Sequence, residues 1–294
     1  MFRRPRLVVV HKKSAYQLHL VQRRDAHLRR LLRLAHPKVR DLYHAHEVHE
    51  RTLRTVVETL RREGLSYRLV YRGDLRRLGR ADLVICVGGD GTFLQTAHLV
   101  QDQPVLGVNS DPPRSEAVFC AATGATFARI LRQALGGELS ELRLFRLSVR
   151  LNGRRIAPHA LNDVLIAHND PATMSRYYLK VGGRAEAQKS SGLWVATPAG
   201  SSSAILAAGG QRLPWADRRF QYWPRELYRG RLTHGRVTGG LVPMGRTVEV
   251  TWLMREGAFF IDGPHVRHPL RFGDRLSIGL SASHPLRLLG VKGR

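Results

Sequence analysis

The chain has 294 residues, of which 43% are hydrophobic and 24% are charged. This ordinary globular composition excludes a disordered chain, a collagen-like repeat and a coiled coil, and the length predicts about two domains. The sequence contains no run of about 18 apolar residues, so we expect no membrane-spanning segment.

The net charge is high but evenly distributed. Lysine and arginine total 48 against 23 acidic residues, a formal charge of +25. Residues 1–125 hold 22 basic and 12 acidic residues, and arginine outnumbers lysine 42 to 6 in the whole chain. A nucleic-acid face would gather the charge in a stripe and would accept lysine equally well. We therefore interpret the charge as compositional bias and expect no nucleic-acid partner.

The cysteine content and the first residues predict a compartment. The two cysteines, Cys86 and Cys120, cannot form a disulfide framework for a chain of this size, which favours a reducing, cytoplasmic setting. The apolar run Leu7–Val10 is too short for a signal peptide and predicts a core strand. We therefore expect no removable segment before it.

The first part of the chain alternates predicted strands and helices. Strands are predicted at Leu7–Val10, Tyr67–Tyr71, Asp82–Val87 and Pro104–Asn109. Helices are predicted from Ser14 to about Ala35, from Pro37 to Gly64, and from Thr92 to Gln101. This alternation is typical of parallel βαβ units, so residues 1–124 are predicted to form an α/β domain with a parallel sheet.

After about residue 125 the pattern changes to short strands. One more helix is predicted at Phe127–Leu135. The strands predicted after it are Arg143–Leu151, Val164–Ala167, Tyr177–Val181, Leu193–Ala196, Thr247–Leu253, Ala258–Ile261 and Arg275–Gly279. Residues 125–294 are therefore predicted to form a β-rich C-terminal domain.

The sharpest motif is Gly88-Gly89-Asp90-Gly91-Thr92, between a predicted strand and a predicted helix. Glycines permit positive φ and close approach of a ligand, and free N–H groups at a helix N-terminus bind anions. Asp90 would repel a phosphate, so it is interpreted as a base, a metal ligand or a hydroxyl acceptor. The spacing matches neither the dinucleotide fingerprint nor the P-loop. A plain strand–helix turn capped by Asp90 explains the five residues equally well.

The wider sequence resembles the NAD kinase family. The glycine turn with Phe93-Leu94 is similar to that family's Gly-Gly-Asp-Gly-Thr motif, which diacylglycerol and sphingosine kinases share. Segments resembling the family follow in its order and spacing, over most of the chain. They are Leu161-Asn162-Asp163-Val164, Thr197-Pro198-Ala199-Gly200-Ser201-Ser202 closing with Ala208-Gly209-Gly210, and Ile261-Asp262-Gly263.

Finer features resemble the mitochondrial-type branch of the family. They are Val108–Pro112 with Arg114-Ser115-Glu116, Lys189–Gly192, and the histidine-rich helix around His44–His49. Because we expect no presequence, a bacterial member of this branch is predicted.

The resemblance implies that the γ-phosphate of ATP is transferred to the adenosine ribose 2′-hydroxyl of NAD, giving NADP. It implies Asp90 as the catalytic base, and Gly88, Gly89, Gly91 and Thr92 as the phosphate cradle. ATP is the expected donor and Mg²⁺, or another divalent cation, the expected cofactor, with no protein ligand assigned to the metal.

The resemblance also implies a dinucleotide site in residues 125–294, with Asn162 at the adenine and Asp163 at its ribose. The implied NAD-binding residues are Asn162, Asp163, Ser191, Thr197, Ser201, Ser202 and Ser203. Further candidate substrate contacts are Asn109, Asp111 and Asp262. A homo-oligomer, either a dimer or a tetramer, is expected.

Three departures from the common family pattern concern substrate contacts. Ser191 replaces an Asp, and Ala204 replaces the Tyr that would offer an aromatic surface to a base. The segment 211–240 does not follow the pattern, and its aromatic residues are interpreted as a dimer contact, a nucleotide lid or core.

Alternative hypotheses remain for the histidines and for the function. His44, His46 and His49 resemble a metal site, but no cysteine or tight carboxylate cluster completes the set, which favours a helix face. A lipid kinase would share the glycine turn, although its usual Gly-Thr-Gly-Asn-Asp element is missing. A non-catalytic dinucleotide or nucleic-acid binder would keep the same fold.

Overall fold

The computed structural model describes residues 5–231 and 235–293. The chain divides into two compact units, the first formed by Met1–Leu142 with Arg287–Lys292, and the second by Arg143–Leu286 with Gly293–Arg294. The expected fold class is confirmed, with a parallel α/β region followed by a β-rich region. The functional division into residues 1–124 and 125–294 stays a prediction.

The first unit combines parallel strands with helices. Its strands are β1 (Arg6–His11), β2 (Ser66–Tyr71), β3 (Leu83–Gly88), β4 (Pro104–Asn109) and β5 (Cys120–Thr123). Its helices are α1 (Ala26–Arg33), α2 (Pro37–Arg62), α3 (Asp90–Ala97) and α4 (Phe127–Leu135), with a π-helical segment at Tyr16–Gln22.

The parallel sheet of the first unit has the strand order β2-β1-β3-β4-β5. Its central strands are continuous apolar runs because both faces are covered, as is usual for parallel sheets. Side chains such as Val56 and Leu60 of α2 and Phe127 and Leu131 of α4 pack against them. Parallel strands end at one edge of a sheet, here called the carboxyl edge, and ligands in α/β folds bind there.

Helix α2 follows its predicted signals. Pro37 occupies the first turn, and Gly64, with φ +63°, follows the last turn, where Leu65 N–H donates to the Leu60 carbonyl at 3.0 Å. The single helix predicted from Ser14 to Ala35 was wrong. The chain breaks at Arg24, with φ +54°, and Asp25 then caps α1 by accepting the Leu28 N–H at 2.9 Å.

The second unit consists mainly of strands. They are β6 (Glu141–Leu151), β7 (Arg154–Ala160), β8 (Asp163–Ala167), β9 (Ser175–Val181), β10 (Arg184–Ser190), β11 (Leu193–Ala196), β12 (Arg219–Pro224), β13 (Gly240–Pro243), β14 (Thr247–Trp252), β15 (Gly257–Ile261), β16 (Val266–Leu270) and β17 (Arg275–Leu289). A short helix, α5 (Ala204–Ala207), follows a 3₁₀ turn at Ala199–Ser202. The first two residues of β6 and the end of β17 belong to the first unit, where Arg287 pairs with Pro104.

Two sheets share one core in the second unit. One sheet contains β7-β6-β17-β14-β9-β10, and the other has the order β13-β12-β11-β8-β15-β16. Buried side chains of both sheets, among them Tyr177, Trp252 and Phe259, form a single hydrophobic cluster. This arrangement is a β-sandwich, in which alternate residues of each strand face the core.

The aromatic segment 211–240 contributes to this core. Trp215 and Tyr222 are buried, whereas Tyr228 is 47% exposed and lies 4.9 Å from Lys189 Nζ, measured to the ring centre. The core interpretation therefore holds for Trp215 and Tyr222. Residues 232–234 of the segment lie outside the described residues.

Candidate functional site

The glycine turn lies at the carboxyl edge of the first unit. All six residues of β3 are buried, and α3 begins at Asp90, directly after the strand. Gly89 takes the N-cap position without a side-chain cap hydrogen bond, so the interpretation of Asp90 as the cap was wrong. The helix N-terminus therefore presents backbone N–H groups beside a carboxylate at its first residue.

The glycines of the turn serve close packing and approach, not positive φ, which none of them adopts. A Cβ at Gly88 would lie 2.6 Å from the Thr92 Cβ, and one at Gly89 would lie 2.7 Å from the Ser115 Oγ. At Gly91 the nearest atom would be the Arg72 Nη1 at 3.8 Å, an ordinary contact. Internal packing therefore requires glycine at position 88. At Gly89 a Cβ would only displace the Ser115 hydroxyl, and at Gly91 there is room for a side chain.

The Asp90 carboxylate is held by the chain that follows β4. Its Oδ1 accepts the Phe119 N–H at 3.2 Å, and Asp90 itself is half-buried. The partial positive charge at the start of α3 stabilises the ionised carboxylate. Asp90 is thus a positioned, partly accessible carboxylate at the start of α3.

Two cations at the carboxyl edge were missed by the sequence analysis. Arg72 follows β2, and its Nη1 donates to the Thr92 Oγ1 at 3.2 Å. Lys12 follows β1, and burial lowers the pKa of its amine. The nearby Asp111 carboxylate opposes this shift, and the Arg72 guanidinium adds to it. Arg72 comes directly after the predicted strand Tyr67–Tyr71, and Lys12 comes two residues after the predicted strand Leu7–Val10, so the ends of these strands were the signal that could have found them.

Asn109 and Asp111, the candidate contacts after β4, shape the neighbouring loop. The Asn109 Oδ1 accepts the Asp111 N–H at 2.9 Å, and its Nδ2 donates to the Ser115 carbonyl at 2.8 Å. Asp111 Oδ1 accepts from Arg114 Nη1 at 2.9 Å. These bonds fix the loop that carries Ser115 against Gly89.

The histidine-rich helix α2 contacts the backbone that follows β1 at this edge. His49 is fully buried, and its Nε2 donates to the Lys12 carbonyl at 2.9 Å. Burial, as the main cause, lowers the pKa of His49 to about 4, so the ring is neutral. No group of three potential metal-ligating side chains occurs among the described residues, and His49 instead fixes the backbone at Lys12.

In the second unit, Asp262 organises the segment Leu161–Asp163. Asp262 has φ +50°, and its two carboxylate oxygens accept the N–H groups of Leu161, Asn162 and Asp163 at 2.8, 2.7 and 3.1 Å. A carboxylate that accepts several backbone N–H groups holds a turn rigidly. The structure therefore places Asp262 behind this segment as its support.

The segment Thr197–Ser203 packs against the same turn. Thr197 is buried; its Oγ1 donates to the Leu161 carbonyl at 2.6 Å and accepts the Gly200 N–H at 3.0 Å. A Cβ at Gly200 would collide with the carbonyl oxygen of Asn162. Only glycine allows the two segments to approach this closely.

Asp163 is the ionisable group of this cluster. It is buried, and its Oδ2 accepts from the Ser203 Oγ at 3.0 Å. Burial, followed by the nearby Asp262 carboxylate, raises the pKa of Asp163 to about 7, while the Ser203 bond opposes the shift. Asp163 therefore changes protonation near neutral pH.

The remaining predicted residues differ in accessibility. Ser201 is buried, where its Oγ donates to the Pro198 carbonyl at 2.7 Å and accepts the Leu213 N–H at 2.9 Å. Ser202 is exposed, and Asn162 and Ser191 are half-buried. The structure brings Asn162, Asp163, Thr197 and the segment Ser201–Ser203 into one cluster, in which Ser202 and Asn162 are more open to a ligand than Thr197 and Ser201. Ser191 lies outside this cluster, where its N–H donates to the Arg225 carbonyl at 2.9 Å.

A cavity of about 540 Å³ lies beside this cluster. Its walls include Trp194, Ala204, Arg225 and Glu226, and the Arg225 guanidinium carbon lies 5.9 Å from the Trp194 ring centre. The small side chain of Ala204 leaves this space open. An aromatic surface is therefore present at the cavity in Trp194, although position 204 offers none.

The glycine turn and the surrounding strands belong to a recognisable sequence family. The family model described as "ATP-NAD kinase N-terminal domain" matches residues 8–128. The chain is 39% identical over 275 residues to a "Probable NADH kinase" of Oryza sativa subsp. japonica, covering 85% of each chain. It is 34% identical over 260 residues to the "NADH kinase" of Arabidopsis thaliana, covering 80% of this chain and 82% of the relative. It is 32% identical over 253 residues to "NAD kinase 2, mitochondrial" of Homo sapiens, covering 69% of this chain and 57% of the relative.

Solved structures share the fold. An NAD kinase from Archaeoglobus fulgidus, in complex with ATP, has a TM-score of 0.66 at 20% identity, covering 98% of this chain and 94% of that chain. Yeast NADH kinase, complexed with NADH, has a TM-score of 0.69 at 15% identity, covering 99% of this chain and 84% of that chain. Within residues 5–231 and 235–293, none of the helices has the length and hydropathy of a membrane span.

Proposed function

The chain belongs to the NAD kinase family, and we propose that it transfers the γ-phosphate of ATP to the adenosine ribose 2′-hydroxyl of NAD or NADH. The observation that carries this proposal is the glycine turn, where Asp90 stands at the first residue of α3 beside exposed Gly91. The family membership makes a lipid kinase and a non-catalytic binder the weaker alternatives.

Asp90 accepts the proton of the attacking hydroxyl in this proposal. The ribose oxygen forms a bond to the γ-phosphorus, the bond from phosphorus to the bridging oxygen breaks, and ADP leaves with that electron pair. The proton passes to the Asp90 carboxylate, which the Phe119 N–H and the α3 N-terminus hold in place.

The phosphates of ATP bind the N–H groups of the glycine turn, and Arg72 and Lys12 neutralise their charge. The turn itself contains no basic residue, so it needs cations from neighbouring strands. Arg72 is the better placed because its guanidinium already reaches Thr92 and the space above Gly91. His49 keeps Lys12 in position through the backbone carbonyl of Lys12.

A divalent cation is part of the proposal, and the residues present suit Mg²⁺. The described residues hold no cluster of three metal-ligating side chains, but they place the carboxylates of Asp90 and Asp111 after neighbouring strands. Mg²⁺ commonly uses one or two carboxylates together with substrate phosphates and water. When bound, it would neutralise phosphate charge, with phosphate oxygens and water filling most of its coordination sphere and the Asp90 carboxylate left to act as the base.

The second unit supplies the dinucleotide site in this proposal. Asn162, Ser202 and Ser191 offer accessible polar groups, and Asp163 offers a carboxylate whose hydrogen-bonding role depends on pH. Thr197, Ser201 and Asp262 act by holding these groups in place. The cavity beside Trp194 suits a planar ring of the dinucleotide.

We propose that NAD and NADH are both acceptors. The transferred phosphate joins the adenosine ribose, so the redox state of the nicotinamide leaves the reacting hydroxyl unchanged. The plant relatives are named NADH kinases and the human relative an NAD kinase. Parallel assays with NAD and with NADH test this point, and activity with one acceptor alone would contradict it.

The compartment, the assembly and the source stay predictions. A cytoplasmic location was expected, whereas the human relative is named a mitochondrial protein. Light scattering on the purified chain tests the expected dimer or tetramer. The relatives named above are from plants and an animal, and they give no support to the expected bacterial source.

A coupled assay of NADP formation tests the proposed chemistry. With ATP, Mg²⁺ and NAD, we expect Asp90→Asn to lower kcat by about 100-fold or more, the usual contribution of a general base. Arg72→Gln should lower kcat/KM for ATP by about tenfold or more. The matched control is Asp74→Asn, an exposed residue after β2, which should keep full activity. A folded wild-type chain that forms no NADP but phosphorylates diacylglycerol would overturn the proposal.

A further inference from the structure

The outer face of one sheet in the second unit carries a concavity of about 210 Å³ on the adjacent strands β7, β6, β17 and β14. Alternate residues of these strands, such as Val149 and Ile278, face the hydrophobic core. The residues between them, including Arg150, Ser277 and Gly279, therefore face the concavity. We call this surface the arginine depression.

Three arginines surround the arginine depression. Arg150 and Arg155 lie directly opposite each other on the hairpin of β6 and β7. Arg246 comes from the turn before β14, where its N–H donates to the Pro243 carbonyl at 3.0 Å and Gly245 adopts φ +88°. Like charges opposite each other on paired strands are destabilising, so an anion bound between these arginines would relieve their repulsion.

The described residues supply no counter-charge at this place. None of the residues that line the depression is a carboxylate, and Arg150 Nη1 donates at 3.1 Å to a neutral partner, the Gly153 carbonyl. Other surface cations of the same unit do pair, as Arg219 does with Asp217 at 2.7 Å and Lys180 with Glu249 at 3.2 Å.

The floor of the depression is built from small polar residues. Ser148, Ser277 and Ser281 offer hydroxyl groups, and Gly279 has no side chain to fill the space between them. Hydroxyl groups and guanidinium forks together match the oxygens of a phosphate group. The volume lies below the roughly 300–1,000 Å³ typical of drug-sized ligands, so it suits a small anionic group.

We propose that the arginine depression binds the phosphate group of a small phosphorylated metabolite. A nucleic acid would require a longer basic stripe, whereas these arginines converge on one small concavity. The site lies in the second unit, apart in sequence from the glycine turn, and it does not depend on the proposed kinase mechanism.

Calorimetric titration of the full chain with inorganic phosphate tests the site. The variant is Arg155→Gln with Arg246→Gln, and the matched control is Arg255→Gln with Arg271→Gln, two exposed arginines of the same unit outside the depression. We expect the first pair to lose one phosphate-binding site, with affinity falling by about tenfold or more. The control should retain that site, and both variants should keep the wild-type KM for ATP.

Crystals soaked in tungstate, a heavy analogue of phosphate, locate the same site directly. The proposal expects tungstate between Arg150, Arg155 and Arg246. Tungstate at the glycine turn alone, or an unchanged phosphate titration in the first variant, would overturn it. A loss of self-association in that variant without a change in phosphate binding would assign the depression to a contact between copies of the chain, which also overturns it.

Discussion

Replacement of Gly91 by alanine tests whether a ligand approaches this position, because the substitution should lower activity without lowering the free energy of unfolding. Gly91 lies in the first turn of α3 without positive φ, and an added Cβ would meet only the Arg72 Nη1, at 3.8 Å. Alanine is favoured over glycine in helices by up to about 1 kcal/mol. The free energy of unfolding should therefore stay constant or rise by less than about 1 kcal/mol.

Activity should change in the opposite direction, because a methyl group at Gly91 would stand where a phosphate must approach the N–H groups. Loss of one hydrogen bond to a charged group costs about 1.5–3 kcal/mol. This corresponds to a fall of about tenfold to 150-fold in kcat/KM for ATP.

The contrasting variant is Gly88→Ala, whose Cβ would lie 2.6 Å from the Thr92 Cβ in a buried site. Overpacking of this kind destabilises by about 1–3 kcal/mol. Urea unfolding of both variants, together with the coupled NADP assay at varied ATP, gives the comparison. If Gly91→Ala keeps the wild-type kcat/KM, the donor phosphates do not approach the turn and the reasoning is refuted.

Three further predictions concern the second unit. Gly200→Ala should destabilise the protein by at least about 1–3 kcal/mol in urea unfolding, because its Cβ collides with the Asn162 carbonyl, and an unchanged transition would contradict this. The pKa of Asp163 is about 7 in the folded chain against 3.8 as its ordinary value, so between about pH 4 and pH 7 the native state holds a proton that the unfolded state has lost. Stability should therefore fall as the pH rises through this window, and Asp163→Asn should remove that part of the pH dependence; an equal slope in both proteins counts against the shifted pKa. Asp262→Ala should cost about 3 kcal/mol or more, since it leaves the three N–H groups at Leu161–Asp163 without their acceptor, and chemical denaturation measures this loss.

Much of the first unit followed from local sequence signals. Pro37 and Gly64 mark the ends of α2, and the apolar run in β3 followed by glycines marks the strand–helix junction that carries Asp90. The position of α4 at Phe127–Leu135 also agrees with its prediction. These features depend on residues close together in the chain, so a sequence pattern is sufficient to predict them.

Six strands were not predicted from the sequence. β5, β7, β10, β12, β13 and β16 were missed, and β10 (Arg184–Ser190) shows why, because only Gln188 and Ser190 of it are buried. Such a strand is fixed by its partner β9 and not by its own hydrophobic pattern. Sequence periodicity carries little information about pairing of this kind.

The sequence by itself determined the alternation of strands and helices, the position of the glycine turn and the residue type at its centre. Only the tertiary structure brought the Arg72 guanidinium to the Thr92 hydroxyl, bonded the Asp262 carboxylate to the N–H groups of Leu161–Asp163, and gathered three arginines around one depression. The physical reason is distance along the chain. A turn is specified by adjacent residues, whereas the charge around a carboxylate or a phosphate site depends on strands that pair across tens of residues.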